Sequence, residues 1–125
     1  MREETIRRTI VALVDYHHRL PLSAAFGPGT MAMSDGIRFP VSSRVLHAQY
    51  HARYFGRRRG VTFHDMTSDQ YSQPYMQVIA PHMREAHAAL DAMLHHETEL
   101  PLHEMMVDTA GFTDLMYALY DLEGF

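Results

Sequence analysis

A chain of 125 residues with 46% hydrophobic and 21% charged content suits one folded globular domain with a real core rather than a disordered chain. No apolar run approaches the ~20 residues of a membrane helix, and the opening Met1-Arg2-Glu3-Glu4 does not read as a secretion signal. Cysteine is absent, which excludes disulfides and thiolate zinc sites and fits a cytoplasmic setting.

In chain order, residues 3–18 are predicted to form a helix, with Ile6, Ile10, Leu13 and Val14 in one apolar stripe. Pro21 stops it, and Leu20 to Gly29 reads as a loop punctuated by Gly27-Pro28-Gly29. From Thr30 to Pro40 the residues alternate. Met31, Met33, Asp35, Ile37 and Phe39 form an apolar face, with small or polar residues on the other. This predicts a strand on which Asp35 stands on the apolar face, a costly place for a carboxylate unless a metal or a cleft compensates it. A second strand is expected from Gly60 to about Thr67 and a third from Tyr75 to Ala80. A helix should follow from His82 to Glu97, then a short strand at Met105-Met106-Val107, and a last helix from Phe112 or Thr113. The order predicts an α/β fold, a mixed sheet of about four strands with helices packed on it.

Three constellations could carry chemistry. If the strands of Asp35 and Asp108 are sheet neighbours, the two carboxylates converge, and a hard divalent cation relieves their repulsion. Such ions can activate a nucleophile in phosphodiester transfer. The alternative is that Asp35 sits in a bend and Asp108 caps the next helix. The run Arg53-Tyr54-Phe55-Gly56-Arg57-Arg58-Arg59-Gly60 suits a phosphate backbone, or else is a solvated hairpin tip. All eleven basic residues are arginine; six fall between Gly36 and His64 without an acid, and eight acids fall from Asp91 onward without an arginine. Local charge therefore matters more than the net −4. The ten histidines, including His47 and His51 at helical spacing, lack a His-Glu-x-x-His frame and read better as ordinary surface or partly buried residues than as a metal module. No serine lies in a Gly-x-Ser-x-Gly frame, and without lysine no phosphate-binding Gly-x-x-x-x-Gly-Lys loop exists.

The stretch Ser34-Asp35-Gly36-Ile37-Arg38-Phe39-Pro40-Val41 resembles a signature of the Tn3-family (class II) transposases. The resemblance continues in order through Arg53-Tyr54-Phe55-Gly56, Arg59-Gly60-Val61-Thr62, Thr67-Ser68-Asp69-Gln70-Tyr71-Ser72-Gln73 and Val78-Ile79. It ends with Glu97-Thr98-Glu99-Leu100 and Asp108-Thr109-Ala110-Gly111-Phe112-Thr113-Asp114, while His18-Arg19-Leu20-Pro21-Leu22 fits upstream. It implies a bacterial, cytoplasmic protein with an RNase H-like catalytic domain, whose Asp, Asp, Glu triad binds Mg2+. In that family the domain nicks transposon ends and joins the 3′ hydroxyls to target DNA. By resemblance Asp35 and Asp108 are the first two acids, catalytic and metal-binding, and Arg53, Arg57, Arg58 and Arg59 are expected to contact DNA. Residues 1–28 would be an N-terminal helix and connecting loop, and 29–125 part of the catalytic domain.

The chain departs from the family at Phe26, where tryptophan is usual, at Pro28, where an acid is usual, and at His64-Asp65-Met66, where a more apolar strand is expected. The family's third acid, a glutamate, lies far beyond the second aspartate. The 17 residues after Asp108 do not reach it, and Glu123 does not replace it. The expectation is a transposase fragment, inactive alone and weak for metal. The rival is a non-catalytic fragment that self-associates, or binds full-length transposase, through sheet surface left uncovered.

Overall fold

The computed structural model describes residues 2–107 and 113–125. Asp108 to Phe112, including the second candidate acid and one expected start of the last helix, lie outside the described residues. Helix α1 spans Glu3–His18, as its stripe predicts, with Glu3 and Glu4 in the first turn and His17 and His18 in the last, each favourable to the helix dipole. Strand β1 is Met31–Val41, β2 Gln49–Tyr50, β3 Arg59–Ser68, β4 Tyr75–Ile79 and β5 Glu104–Met106. Helices α2 (Ala52–Phe55), α3 (Glu85–His95) and α4 (Asp114–Glu123) complete the chain. The sheet has five strands rather than about four, because the two-residue β2 is too short to show any alternation. Similarly α3 begins three residues later than expected; Arg84 is still extended.

β1 and β3 form a long antiparallel ladder from Ala32↔Ser68 to Val41↔Arg59. β5 lies parallel to β1 on its other edge, through Met31↔Glu104 and Met33↔Met106. β2 and β4 both pair antiparallel with β3. The order is β2-β3-β1-β5, with β4 also on β3.

One face of the sheet carries the core. Ala32 and Met66 cluster with Val14 of α1, Ala92 and Met93 of α3, Tyr75, Leu100 and Leu102, with Tyr120 of α4 packed against them. The helices α1, α3 and α4 thus meet the same side. The expectation that the apolar face of β1 is buried is overturned: Met33, Ile37 and Phe39 are 56%, 54% and 46% exposed, whereas Ala32 and Ser34 on the other face are buried. The reason lies in α3, whose buried residues are four alanines and Met93. An alanine surface approaches a sheet closely, and a strand face of Ala, Ser and Gly leaves room for it. Gly36 shows how tight the fit is. A Cβ there would lie 2.6 Å from a carboxylate oxygen of Glu85 at the start of α3.

Two further motifs of the sequence serve as joints. Asp69 and Gln70 grip the Gly27–Gly29 loop. Gly29 N–H donates to Asp69 Oδ2 at 3.2 Å, and Gln70 Nε2 donates to the Gly27 carbonyl at 2.9 Å. Gln70 Oε1 in turn lies 2.9 Å from His18 Nδ1, tying the loop to the end of α1. Nearby, Arg19 pairs with Glu99, and the Glu99 N–H donates to Asp15 at 2.8 Å, fastening the chain after α3 to α1.

Candidate functional site

Asp35 sits midway along β1, on the open face, exposed and not in a dry core. The desolvation cost expected from the sequence does not arise. Its Oδ1 accepts the Gly36 N–H at 2.7 Å. Directly across the ladder is Asp65 of β3. Facing residues of an antiparallel pair hold their Cβ atoms about 4.5–5.5 Å apart, and like charges there repel. Asp65 is partly buried; its Oδ2 accepts from Gln73 Nε2 at 2.8 Å, while Oδ1 is buried with no hydrogen-bond partner. Burial raises the Asp65 pKa above the usual carboxylate value, opposed by the Met66 backbone N–H and reinforced by the charge of Asp35. This second acid was legible only through register: once residues 31–41 and 59–68 form a hairpin ladder, 35 falls opposite 65.

Behind Asp35, on the core face, Ser34 hydrogen-bonds with His64 Nε2. His64 is fully buried, and burial lowers its pKa below the ordinary 6.5 against the opposing pull of Asp35. Arg38 is held from two sides. Its Nη2 donates to Glu85 at 2.6 Å, and its guanidinium stacks 4.2 Å from the Tyr54 ring. Phe39 meets Phe63 edge-on at 5.7 Å. The stretch around Asp35 is therefore mostly a mounting: its neighbours lock the strand, and Asp35 stands on the exposed side.

The expected arginines divide. Arg57, Arg58 and Arg59 line a cleft of about 800 Å³ at the far end of β1, whereas Arg53 does not and instead lies 5.7 Å from the Tyr54 ring. The turn that carries the triplet is fixed. Gly56 takes a φ of 60°, and the Arg58 N–H donates to the Phe55 carbonyl at 3.0 Å. The Phe55 ring lies so close over Gly60 that a Cβ there would come within 2.2 Å of it.

Among the described residues no group of three or more His, Cys, Asp or Glu side chains is placed to hold a metal. Histidines find separate partners: His18 with Gln70, His64 with Ser34, His95 with Asp91 and His96 with Thr98. No helix among the described residues is long and apolar enough to cross a membrane.

The model of the Tn3 transposase DDE domain matches residues 1–125. The transposase for transposon Tn1546 of Enterococcus faecium is 40% identical over the whole of this chain, which covers 13% of that protein. The transposase for Tn2501 of Escherichia coli is 38% identical over the whole chain, covering 12% of its length. The transposase for transposon gamma-delta of Escherichia coli strain K12 is 34% identical, again over the whole chain and 12% of its own length. The chain thus spans about an eighth of these relatives. No solved structure matches it. On the family match, and on relatives aligned from end to end of the chain, these 125 residues belong to the DDE domain of the Tn3-family transposases.

Proposed function

We propose that this chain is part of the catalytic core of a DNA transposase acting in the bacterial cytoplasm, and that in the whole protein the core cleaves transposon ends and transfers them to target DNA. The observation that carries the reading is Asp35, an acid in mid-strand on the exposed face of the sheet. Residues 29–125 correspond in this reading to the first part of an RNase H-like domain. The strand order supports it: a central β1 flanked by an antiparallel β3 and a parallel β5. Met33 of β1 pairs with Met106 of β5, and Asp35 and Asp108 each follow two residues later in their own segments.

The donor chemistry at Asp35 fits a magnesium ion: an exposed carboxylate, a hard oxygen donor, oriented by the Gly36 N–H. Asp35 and Asp108 would hold the ion, with the family's glutamate supplied from outside these residues. When bound, the ion would lower the pKa of the attacking water or hydroxyl and stabilise the leaving oxygen. The chain's own contribution is placement. The Ser34–His64 hydrogen bond and the Arg38–Glu85 pair lock β1, while the Gly36 N–H orients the Asp35 carboxylate. Arg53, Arg57, Arg58 and Arg59 contact the DNA backbone, and this stretch alone is inactive.

The test is a graft. The stretch replaces its counterpart in the Enterococcus faecium Tn1546 transposase, and magnesium-dependent cleavage of transposon-end DNA is measured. The graft is expected to cleave, and Asp35→Ala to lower cleavage at least a thousandfold with the fold intact. Equal cleavage by Asp35→Ala would sink the reading.

A second reading is favoured by the exposed Met33, Ile37, Phe39 and Met106 on one sheet face. The isolated fragment self-associates, or captures full-length transposase, through that surface.

A further inference from the structure

We propose that Phe26 and Tyr71 form a stacking site for an unpaired nucleobase, on a strand that passes the exposed face of the sheet. The inference rests on the reading of the chain as a DNA-processing core, and adds a site that takes a base rather than a phosphate. Both rings face solvent: Phe26 is 57% exposed and Tyr71 78%. They meet edge-on, with centroids 5.4 Å apart and planes at 86°. An edge-on pair covers one face of one ring, so the other flat faces stay open to a planar ligand.

The mount is the first argument. Tyr71 takes a φ of 61°, in the left-handed region that a residue with a Cβ enters only where its surroundings hold it there. Here they do. Tyr71 N–H donates to the Ser68 carbonyl at 2.9 Å, and Ser68 N–H to the Ser72 carbonyl at 2.8 Å. The Ser68 hydroxyl accepts the N–H groups of Gln70 and Ser72, each at 3.3 Å, and lies 2.8 Å from the Ser72 hydroxyl. The hydrogen bond from Gln70 to the Gly27 carbonyl joins the residues next to the two rings, so one clasp holds both. A ring on a fixed turn loses little freedom on binding, which makes it an effective contact group.

Charge is the second. Within two residues of either ring the only charged side chain is Asp69, an acid. Such a site suits an uncharged plane and disfavours a phosphate. Placement is the third. Asp69 N–H donates to the Met31 carbonyl at 2.9 Å, and Asp35 lies four residues further along β1, about 13 Å at ~3.3 Å per residue. Two residues past Tyr71, Gln73 donates to Asp65, which faces Asp35 across the ladder. The turn that carries Tyr71 therefore reaches the exposed face beside the acid. It does so from the Met31 end of β1, whereas the arginine cleft lies at the Val41 end. In a duplex both faces of a base are covered by its neighbours, so the ligand is a base outside the stack. Every base has a π-face, so the site is indifferent to sequence.

The test is fluorescence anisotropy of a labelled single strand, and of the same strand in a duplex, with the 125-residue chain in EDTA over a series of salt concentrations. Tyr71→Gly relieves the left-handed φ and is expected to stay folded. It should nevertheless weaken single-strand binding about 5- to 100-fold, the usual range for one base–aromatic stack. The slope of log K against log salt should not change, because stacking displaces no counterions. Duplex binding should hold. Tyr71→Trp, with a larger plane, should keep the single-strand affinity, and Phe26→Leu, apolar but without a ring, should lower it. A folded Tyr71→Gly variant that binds the single strand like the parent would overturn the proposal. So would equal losses on single strand and duplex, or a parent chain that does not bind the single strand. Neither metal nor cleavage enters this measurement, so its failure is distinct from failure of the Asp35 graft.

Discussion

Asp35 and Asp65 oppose each other across the ladder on the open face, while His64 lies one residue away on the buried face. A one-residue step along a strand changes the environment completely. His64 is buried as the neutral ring, so its pKa in the folded chain is below the unfolded value near 6.5. Between those two values the unfolded chain takes up a proton that the folded chain refuses. Stability is therefore full above about pH 6.5 and is lost as pH falls through the folded pKa. His96, also lowered by burial, acts in the same direction. Thermal melts from pH 7.5 to 5 should show a falling midpoint, with a slope of at most about 1.4 kcal/mol per pH unit for each histidine. His64→Gln, which keeps a polar group near Ser34, should remove part of that slope; an unchanged slope would mean that His64 does not titrate against folding. Of the candidate residues, Asp35 was legible as an acid in an apolar alternation. Its actual surroundings were not, because alternation separates two faces without saying which one the helices cover.

At the scale of elements, α1 was legible end to end because its stripe at positions 6, 10, 13 and 14 is uninterrupted. β3 and β4 were legible to within a residue or so for the same kind of reason, whereas β2 and α2, two and four residues long, are too short for any period to register. These two small elements depend on the turn that follows them and on Phe55, whose ring occupies the space above Gly60. Gly60→Ala should force that ring aside and cost about 1–3 kcal/mol, the usual range for overpacking. Gly36→Ala should cost a similar amount by displacing Glu85 from Arg38. Urea unfolding checks both. A Gly60→Ala midpoint equal to the parent's would show that the ring moves freely and that the turn is not braced. At the other end, the Thr113 hydroxyl accepts the Met116 N–H as the N-cap of α4, so the final helix has its start signal in place.

At the scale of the whole molecule, the helices gather on one side and leave a sheet face that is apolar around two acids. The sequence carried the ingredients of this face but not its exposure. That exposure depends on the alanines of α3, buried at positions 86, 88, 89 and 92, claiming the small-residue side of β1. An open face of this kind should make the purified chain associate. Light scattering over a concentration series is expected to show species above the 14.4 kDa monomer, and Ile37→Glu, in the middle of the patch, should shift the population back to monomer. A strict monomer at all concentrations would remove the interaction reading.

β1 carries both the acid and the rim of the basic cleft on one unbroken run, which makes the strand a ruler with a two-residue unit. Losing one residue between Asp35 and Pro40 would turn either the carboxylate or the cleft rim to the wrong side of the sheet. Losing two would restore the sides but shorten the span by about 7 Å, near two base steps. Tolerated changes of length in this stretch should therefore come in pairs.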